Sequence, residues 1–446
     1  MNRERIVIAG AGIAGLTLAY ELCKNGADVT VIEKESSVGG LARSFEYEGG
    51  YTFDAGPHRF YTESPAVLRL IHEILEDDFL TMPRKSGVRM FDKYFEWPLR
   101  FADLFRMPLR ECLSVGIDML RRESQEGTSF ENYILASYGR TLYEIFFKPY
   151  TEKFLRIPCR DISQHWALTG IDRAVIDSSI KVNNVSALAK SFFYPKPPLQ
   201  FIYPKSGGIG VFAEKLQKRI VELGGRVILC NEVSGIGRNG CSIEKVTAGG
   251  VHYDCDTLVW SAPISELTEL LGVTAPALSY LSLVMYNFMI VSEIRPTYQW
   301  CYFGAEDVPF NRISYPTLFN PALAPQGEIG ICVEVTCRQG EVVWQNPEAM
   351  TEQIVESMIA NGVIRSKTEI RGCRIERAGS AYPVYTLDYA DKLAEAFAQV
   401  SRFKGVQLLG RTGRFWYNNM DHSIEDALEV GEQLVNRSRA GRPEEK

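Results

Sequence analysis

The chain has 446 residues, enough for more than one hydrophobic core, and its 46% apolar and 23% charged residues are typical of a globular protein. Its formal net charge of −6 argues against a nucleic-acid partner, although local basic clusters can still bind an anionic small molecule. The chain has no run of about 18 uncharged apolar residues, so we expect no transmembrane segment.

The first predicted elements form a strand–turn–helix–strand unit. An apolar strand at 6–9 leads into Gly10-x-Gly12-x-x-Gly15, a helical pattern follows, and a second apolar strand at 29–32 ends in Glu33. This order is typical of a dinucleotide site, where the glycines permit a tight turn and close approach of a pyrophosphate to the helix N-terminus. Glu33 is placed to accept hydrogen bonds from the hydroxyls of an adenosine ribose. Its negative charge would repel a 2′-phosphate, which argues against NADP.

A second glycine turn distinguishes between the dinucleotides. Gly39-Gly40-Leu41-Ala42-Arg43 follows the second strand, and we expect this turn and its arginine to close over the pyrophosphate that the first turn holds. NAD dehydrogenases do not usually carry such a turn. The sequence therefore predicts a flavoprotein with non-covalently bound FAD.

Residues 58–200 have a different character, because they are rich in arginine and aromatic residues and show no alternation of strands with helices. Helical periodicity is visible at 65–78, 101–122 and 129–147. We predict that this segment is an insertion that forms a helical cap over the cofactor domain.

The stretch 90–122 within this insertion allows two interpretations. It has the composition of a helix lying on a membrane, with arginines at the rim and an apolar side formed by Phe101, Leu104, Phe105 and Leu109. It also fits an ordinary amphipathic helix of the cap with solvated arginines. Because Pro98 and Pro108 interrupt the stretch and its apolar face is short, the second interpretation is favoured.

The pattern of the cofactor domain resumes near residue 201. The predicted elements are strands at 201–204, 226–230, 231–233 and 257–263, a helix at 211–223 and a hairpin at 236–253. From 277 to about 385, apolar and polar residues alternate, which predicts a half-buried, mostly antiparallel sheet interrupted by a helix at 347–361. A strand at 406–409 leads into Gly410, and a last helix starts near Ser423.

These elements predict an α/β (α+β) fold in three parts. A Rossmann-like FAD-binding domain is assembled from the separated segments 1–57, 201–276 and 400–440. Residues 58–200 form the helical cap, and 277–399 form a substrate domain with a mixed or antiparallel sheet.

The ten cysteines show no CxxC pair and no Cys/His ligand spacing, so we expect no metal site. Cys23, Cys230 and Cys332 lie in apolar patterns and are expected to be reduced core thiols. The first strand follows the N-terminus closely, which leaves no room for a signal peptide and predicts a cytoplasmic location.

Five blocks of the sequence are similar to those of one superfamily. They are 6–43, then 53–60 with its Gly56-Pro57-His58-Arg59, then 147–158, Tyr203-Pro204-Lys205-Ser206-Gly207-Gly208, and 409–424. On these blocks the chain resembles the FAD-dependent amine oxidase and protoporphyrinogen oxidase-like superfamily, with a GR2-type cofactor domain, and is most similar to the UDP-galactopyranose mutase branch. The segment 381–385 is as similar to the oxidase branch as it is to the mutase branch.

The resemblance implies a set of flavin contacts. The last helix would aim its N-terminal amides at the N1/C2 edge of the flavin, and Val233 would hold the adenine through its backbone. The implied cofactor-binding residues are Gly10, Gly12, Ala14, Gly15, Glu33, Lys34, Gly40, Leu41, Ala42, Arg43, Gly56, Pro57, His58, Val233, Gly410, Arg411, Met420, Asp421 and Ser423.

The resemblance also implies catalytic and substrate-binding residues. His58, Arg411 and Tyr417 would be catalytic, although a loop histidine bonded to the backbone is the alternative for His58. The mutases place an arginine pair over the substrate diphosphate, and Arg173 falls near the first of these positions. The second position lies in a strand that corresponds to 280–292, which contains no arginine here, so Arg295 or Arg312 from nearby loops would take its place. The implied substrate-binding residues are Arg59, Tyr150, Arg173, Arg312, Tyr382, Tyr385 and Tyr417.

The resemblance leaves two reactions open for a small-molecule substrate. In the first, reduced flavin acts on a sugar or nucleotide sugar in carbohydrate biosynthesis, as in the mutases, and NAD(P)H is one reductant. In the second, oxidised flavin accepts a hydride from a small molecule, as in the oxidases and dehydrogenases. A non-enzymatic escort role is disfavoured by His58 and the aromatic residues 415–417. The sequence leaves the oligomeric state open.

Overall fold

The computed structural model describes residues 4–97, 99, 103, 105–120, 127–171, 199–291 and 296–440. The strands in these ranges are β1 (Arg5–Ala9), β2 (Asp28–Ile32), β3 (Ser44–Tyr47), β4 (Tyr51–Asp54), β5 (Phe79–Pro83), β6 (Ser86–Met90), β7 (Lys93–Trp97), β8 (Gln200–Pro204), β9 (Arg226–Ile228), β10 (Val233–Asn239), β11 (Ser242–Ala248), β12 (Val251–Asp254), β13 (Thr257–Trp260), β14 (Tyr280–Ile290), β15 (Trp300–Phe303), β16 (Arg312–Ser314), β17 (Ile329–Cys337), β18 (Ile370–Pro383) and β19 (Val406–Leu408).

Helices connect and cover these strands. The longer helices of the described ranges are α1 (Ile13–Lys24), α2 (Pro65–Leu75), α3 (Leu109–Leu120), α4 (Phe130–Leu142), α5 (Lys148–Leu155), α6 (Gly210–Glu222), α7 (Ile264–Leu270), α8 (Thr351–Ala360), α9 (Tyr389–Val400) and α10 (Met420–Ala440). None of the helices within these ranges combines the length and the apolar character needed to cross a bilayer.

A parallel sheet with the order β19-β13-β1-β2-β9 forms the first layer. After Arg5 its central strand β1 is apolar because both faces are covered. Ile6 and Ile8 enter one hydrophobic core, and Val7 and Ala9 enter another. Strands from distant parts of the chain therefore end side by side at one edge, which is where ligands bind in sheets of this kind.

A seven-stranded mixed sheet forms the second layer, in the order β18-β14-β17-β16-β15-β6-β7. All its pairings are antiparallel except that of β15 with β6. The combination of a parallel sheet, a mixed sheet and helices confirms the predicted fold class. The segment 58–200, predicted as a helical cap, also supplies β6 and β7 to this sheet. The division into domains stays a prediction.

Three local expectations differ from the structure. The helix predicted at 101–122 is present in the described residues as α3, which begins directly after Pro108, where a proline is tolerated. The last helix begins at Met420 rather than near Ser423, because the Asn419 carbonyl already accepts a helical hydrogen bond from the Ser423 N–H at 3.2 Å. Cys230 is exposed rather than buried, whereas Cys23 and Cys332 lie in the core.

Candidate active site

A cleft of about 520 Å³ opens at the carboxyl ends of β1, β2 and β13. Each strand delivers residues to it: Gly10 follows β1, Glu33 follows β2 and Ser261 follows β13. The second glycine turn, the N-terminal end of α10 and part of β18 complete the walls. The cleft therefore lies at the sheet edge where the sequence predicts a dinucleotide.

The first glycine turn has the shape that a pyrophosphate needs. Gly10 has a φ of +102°, and a methyl group at Gly15 would lie 2.1 Å from the Gly10 carbonyl oxygen, so both positions require glycine. At Gly12, by contrast, a methyl group would meet no atom within 4 Å, because this residue faces the open cleft. A ligand can thus approach the backbone beside the N-terminus of α1.

Glu33 is held in position by the backbone. Its Oε2 accepts the Ala11 N–H at 2.7 Å and its Oε1 accepts the Glu35 N–H at 2.9 Å, and the side chain is buried at the wall of the cleft. Each carboxylate oxygen keeps a further lone pair for a hydroxyl donor. The neighbouring Lys34 and Val233 also line this end, which fits an adenosine.

The two glycine turns touch each other. The Gly39 N–H donates to the Ala11 carbonyl at 2.8 Å, and a methyl group at Gly40 would lie 3.2 Å from the Cα of Gly12. Arg43, at the end of the second turn, pairs with Glu35 at 3.3 Å, while its Nε is buried without a hydrogen-bond partner. An orphan cationic donor beside the glycines fits a bound pyrophosphate.

The other end of the cleft contains His58. The turn before it is tight: Gly56 has a φ of +102°, and the His58 N–H donates to the Gly56 carbonyl at 2.8 Å. Burial, together with the nearby cations Arg411, Arg312 and Arg59, lowers the pKa of His58 to about 3. His58 is therefore a neutral imidazole at neutral pH, with one N–H donor and one acceptor nitrogen.

The N-terminus of α10 faces the same end of the cleft through Met420 and Ser423. Gly410 connects α10 to α1. The Gly410 N–H donates to the Asp426 carboxylate of α10 at 2.9 Å, and a methyl group at Gly410, which has a φ of +70°, would lie 2.9 Å from Cβ of Ala14 in α1. Free amides at a helix N-terminus stabilise negative charge. The residues present therefore fit FAD along the whole cleft.

A wall of arginine and tyrosine residues adjoins His58. The Arg411 guanidinium lies 5.3 Å from the ring centre of Tyr417 and 6.0 Å from that of Tyr382, and it donates to the Asn418 carbonyl. The Trp166 ring stacks on that of Tyr417, with the ring centres 4.6 Å apart. Burial raises the pKa of Tyr417, so this phenol stays protonated and can donate a hydrogen bond.

Arg312 is compensated inside the protein. Its guanidinium forms a two-point ion pair with Glu334, with the Nε–Oε1 distance at 2.7 Å, and contacts the Tyr382 hydroxyl at 3.4 Å. Burial acts to lower the pKa of Arg312, but the Glu334 carboxylate outweighs it and holds the pKa above the usual value. Arg312 therefore already has its anion.

Arg59 is in the opposite situation. Its guanidinium is 4.9 Å from the ring centre of Trp300 and 5.1 Å from that of Phe201, and its one hydrogen bond goes to the Pro57 carbonyl at 3.2 Å. Within the described ranges no carboxylate pairs with it, and both Arg59 Nε and Trp300 Nε1 are buried without an acceptor. Burial, with repulsion from Arg84, lowers the pKa of Arg59 to about 10. This cation needs an anion that the residues described by the structure do not supply.

The structure places the predicted site residues in and around the cleft. Most of the predicted cofactor residues line the cleft, whereas Gly15, Gly56, Pro57 and Asp421 do not and support its turns. The predicted substrate residues that lie in the wall beside His58 are Arg59, Tyr150, Tyr382 and Tyr417. Tyr385 lies behind this wall, and its hydroxyl accepts the Tyr417 N–H. Arg173 and Arg295 are outside the described residues. The cofactor residues that line the cleft are Gly10, Gly12, Ala14, Glu33, Lys34, Gly40, Leu41, Ala42, Arg43, His58, Val233, Gly410, Arg411, Met420 and Ser423.

The structure adds cleft residues that sequence reasoning missed. Gln339, Trp344 and Arg377 reach the cleft from the second sheet and its connections, with the Arg377 guanidinium 5.9 Å from the ring centre of Trp344. Nothing in the local sequence marks these residues, because Arg377 lies on an ordinary strand, Gln339 in a turn and Trp344 in a short helix at Val342–Gln345. Among the described residues, no group of three histidine, cysteine or acidic side chains could hold a metal.

Comparison with known proteins agrees with this geometry. The model of the flavin containing amine oxidoreductase family matches residues 13–284. The chain belongs to this family. The resemblance inferred from the sequence is therefore confirmed, and FAD follows as the cofactor of the family.

Individual relatives are distant. The chain is 27% identical to a probable UDP-galactopyranose mutase of Klebsiella pneumoniae over 34% of this chain and 41% of the relative. It is 36% identical to a 1-hydroxycarotenoid 3,4-desaturase of a Flavobacterium species over 20% of this chain and 18% of the relative. The alignments thus span less than two thirds of either relative.

Solved structures extend the similarity to the whole fold. A reduced UDP-galactopyranose mutase superposes with a TM-score of 0.83 at 19% identity, covering 98% of this chain and 95% of the mutase. A candidate protoporphyrinogen oxidase from Exiguobacterium sp. 255-15 superposes with a TM-score of 0.78 at 16% identity, covering 98% of this chain and 100% of that one. At these identities the likeness concerns the fold.

Proposed function

We propose that this chain binds FAD non-covalently and acts on an anionic small molecule, a nucleotide sugar, in a mutase-type rearrangement. The observation that supports this most directly is the uncompensated Arg59 beside the flavin end of the cleft. A nucleotide diphosphate supplies the missing acceptor for Arg59 and Trp300, while the tyrosine hydroxyls suit the hydroxyls of a sugar. The similarity to UDP-galactopyranose mutases points the same way.

The protein residues have separate tasks in this proposal. Arg59 and Arg411 bind the phosphates, and the phenols of Tyr382 and Tyr417 orient the sugar by donating hydrogen bonds. His58, being neutral, holds a proton on one ring nitrogen and accepts a hydrogen bond at the other. Trp166 stacks on Tyr417 at 4.6 Å and holds this phenol in position. Bound FAD supplies a nucleophilic ring nitrogen when reduced and a hydride acceptor when oxidised.

A second function, an FAD-dependent oxidase or dehydrogenase, is supported by a different observation. The matching family is one of amine oxidoreductases, and relatives include the carotenoid desaturase and an L-amino-acid oxidase of Crotalus adamanteus that is 41% identical over 70 residues. A carboxylate-bearing substrate would also satisfy Arg59.

A cytoplasmic location, the oligomeric state and NAD(P)H as reductant stay predictions.

One experiment separates the two functions. The purified protein is reduced without air, with dithionite or NAD(P)H, and supplied with UDP-sugars whose products are resolved by chromatography. Interconversion that requires reduction supports the mutase, whereas rapid bleaching of the oxidised flavin by an amine or amino acid supports the oxidase. Absence of bound FAD from the purified protein would refute both.

Two phenylalanine variants test the assignment of the wall. Tyr417→Phe removes a buried phenol beside Arg411 and is expected to lower kcat/KM about 10- to 100-fold. Tyr61→Phe is the matched control, because the Tyr61 hydroxyl bonds to Glu63 at 2.9 Å at an exposed position. Equal activity of the two variants would remove Tyr417 from the site.

A further inference from the structure

Strand β18 of the second sheet contains a bulge that faces the cofactor cleft. The pairing of β18 with β14 shifts register here, so that the three residues 379–381 lie opposite the single residue Ser282. On a regular strand, successive side chains point to opposite faces, yet the four consecutive residues 377–380 all line the cleft. The bulge therefore turns this part of the second sheet towards the cofactor half of the molecule.

The bulge holds one residue in a strained conformation. Ser380 has a φ of +50°, in the left-handed region that residues with a side chain disfavour. The preceding residue is packed tightly, because a methyl group at Gly379 would lie 3.0 Å from the amide nitrogen of the Gln339 side chain. Strain of this kind persists only where surrounding contacts maintain it, and it clusters at ligand-binding sites. Both Ser380 and Gln339 line the cleft.

Two arginines of the cofactor half hold the bulge on either side of Ser380. The Arg43 guanidinium donates to the Arg377 carbonyl at 3.1 Å, and the Arg411 guanidinium donates to the Ala381 carbonyl at 3.3 Å. Arg43 lies at the glycine turns, where a pyrophosphate fits, and Arg411 lies at the flavin end of the cleft. The residues between these two contacts therefore border the middle of the cleft.

We propose that this bulge binds the ribityl chain of FAD, with Ser380 and Gln339 as the side chains that contact its hydroxyls. The ribityl chain joins the pyrophosphate to the flavin ring, and its hydroxyls require both donors and acceptors. The Ser380 hydroxyl supplies one donor and two lone pairs, and the Gln339 amide supplies two donors and an acceptor. Tyr382 follows on the same strand, so the bulge also positions the active-site wall relative to the cofactor. This inference rests on the FAD binding proposed above, but not on which reaction the enzyme catalyses.

Titration of the FAD-free full chain with FAD and with ADP tests the proposal. ADP contains the adenosine and the pyrophosphate but no ribityl chain. We expect Ser380→Ala to raise the Kd for FAD about fivefold, through the loss of one neutral hydrogen bond, and to leave the Kd for ADP within about twofold of the parent value. Ser380→Gly should have the same effect without lowering the melting temperature of the apoprotein, because glycine adopts this φ without strain. An equal rise of both Kd values, or an unchanged Kd for FAD, would overturn the proposal.

FAD analogues that each lack one ribityl hydroxyl identify the contact. The parent should bind one of them about fivefold more weakly than FAD, whereas Ser380→Ala should bind that analogue and FAD equally well. The control is Ser401→Ala, which removes a hydroxyl that donates to the Ala398 carbonyl at 2.9 Å at an exposed position outside the cleft, and it should bind every ligand as the parent does. If each analogue loses the same affinity in Ser380→Ala as in the parent, Ser380 does not contact the ribityl chain. A parent chain that binds ADP but not FAD would instead refute the FAD binding on which the inference rests.

Discussion

Replacing Arg59 by methionine should make the protein more stable and its substrate binding weaker. Methionine keeps apolar contact with Trp300 and Phe201 but removes the charge. Because burial lowers the pKa of Arg59 from 12.5 to about 10, holding the charged form at neutral pH costs about 3 kcal/mol as an upper bound. Loss of the stacking of the guanidinium on the two rings offsets about 1 kcal/mol of this cost. The expected net gain in unfolding free energy is about 1 to 2 kcal/mol.

The same substitution removes the cation that we assign to the phosphates. Truncating one partner of a buried charge pair costs about 2 kcal/mol or more, which corresponds to a rise of about 30-fold in KM for the nucleotide sugar or in Kd for UDP. The assay is a thermal melt of the FAD-loaded protein with and without UDP. The parent should melt lower without UDP and gain stability when UDP is added, whereas Arg59→Met should melt higher and respond little.

The control for this prediction is Arg226→Met. The Arg226 side chain is 60% exposed and pairs with Asp28 at 3.1 Å, so its removal should change stability by less than about 0.5 kcal/mol and leave UDP binding unaltered. The reasoning is wrong if Arg59→Met lowers the melting temperature and binds UDP as tightly as the parent. Arg59 would then be a packing residue.

Three further predictions concern the cofactor domain. Gly12→Ala should leave the melting temperature of the apoprotein unchanged but weaken FAD binding in a fluorescence titration. Gly15→Ala should instead lower the yield of folded protein, because its methyl group would lie 2.1 Å from the Gly10 carbonyl oxygen. Glu33→Ala should raise the Kd for FAD at least about tenfold, because the backbone amides of Ala11 and Glu35 and the ribose lose their acceptor. An unchanged Kd would exclude Glu33 from the site. Burial raises the pKa of Asp54 from 3.8 to about 6, so between these pH values the folded state binds more protons than the unfolded state. The unfolding free energy should therefore fall by up to about 3 kcal/mol as the pH rises from 4 to 6. Asp54→Asn should flatten that part of the pH profile of the melting temperature.

The fold of the cofactor half was predictable because it depends on local backbone requirements. Gly10 and Gly15 are needed for conformational reasons, and β1 is apolar on both faces from Ile6 to Ala9, so its pattern is visible without any knowledge of tertiary contacts. The start of α10 was less predictable. Asn419 and Ser423 are equally good capping residues, and only the structure shows the helical hydrogen bond from the Ser423 N–H to the Asn419 carbonyl.

The second half of the site was harder to predict because it is assembled from distant positions. Residues 58–200 appear helical, yet β6 joins the second sheet by pairing with β15, more than 200 residues away in sequence, and β7 follows by pairing with β6. Arg377 and Trp344 reach the cleft in the same way, from elements without a local motif. Periodicity indicates which face of a strand is buried, but it does not indicate which distant element covers that face.

The two candidate arginines for the substrate diphosphate differ in a way that only the structure reveals. Sequence comparison left Arg295 or Arg312 for the position that the mutases fill with their second arginine, and Arg295 lies outside the described residues. Arg312 carries a buried ion pair with Glu334, so releasing it for a phosphate would leave that carboxylate uncompensated, which is a cost of several kcal/mol. Arg59 has no such partner in the part of the chain that the structure describes, and there the indole N–H of its neighbour Trp300 also lacks an acceptor. An incoming diphosphate would therefore be bound more favourably at Arg59, and this chain would use a cation next to its flavin histidine where the mutases use one from a strand.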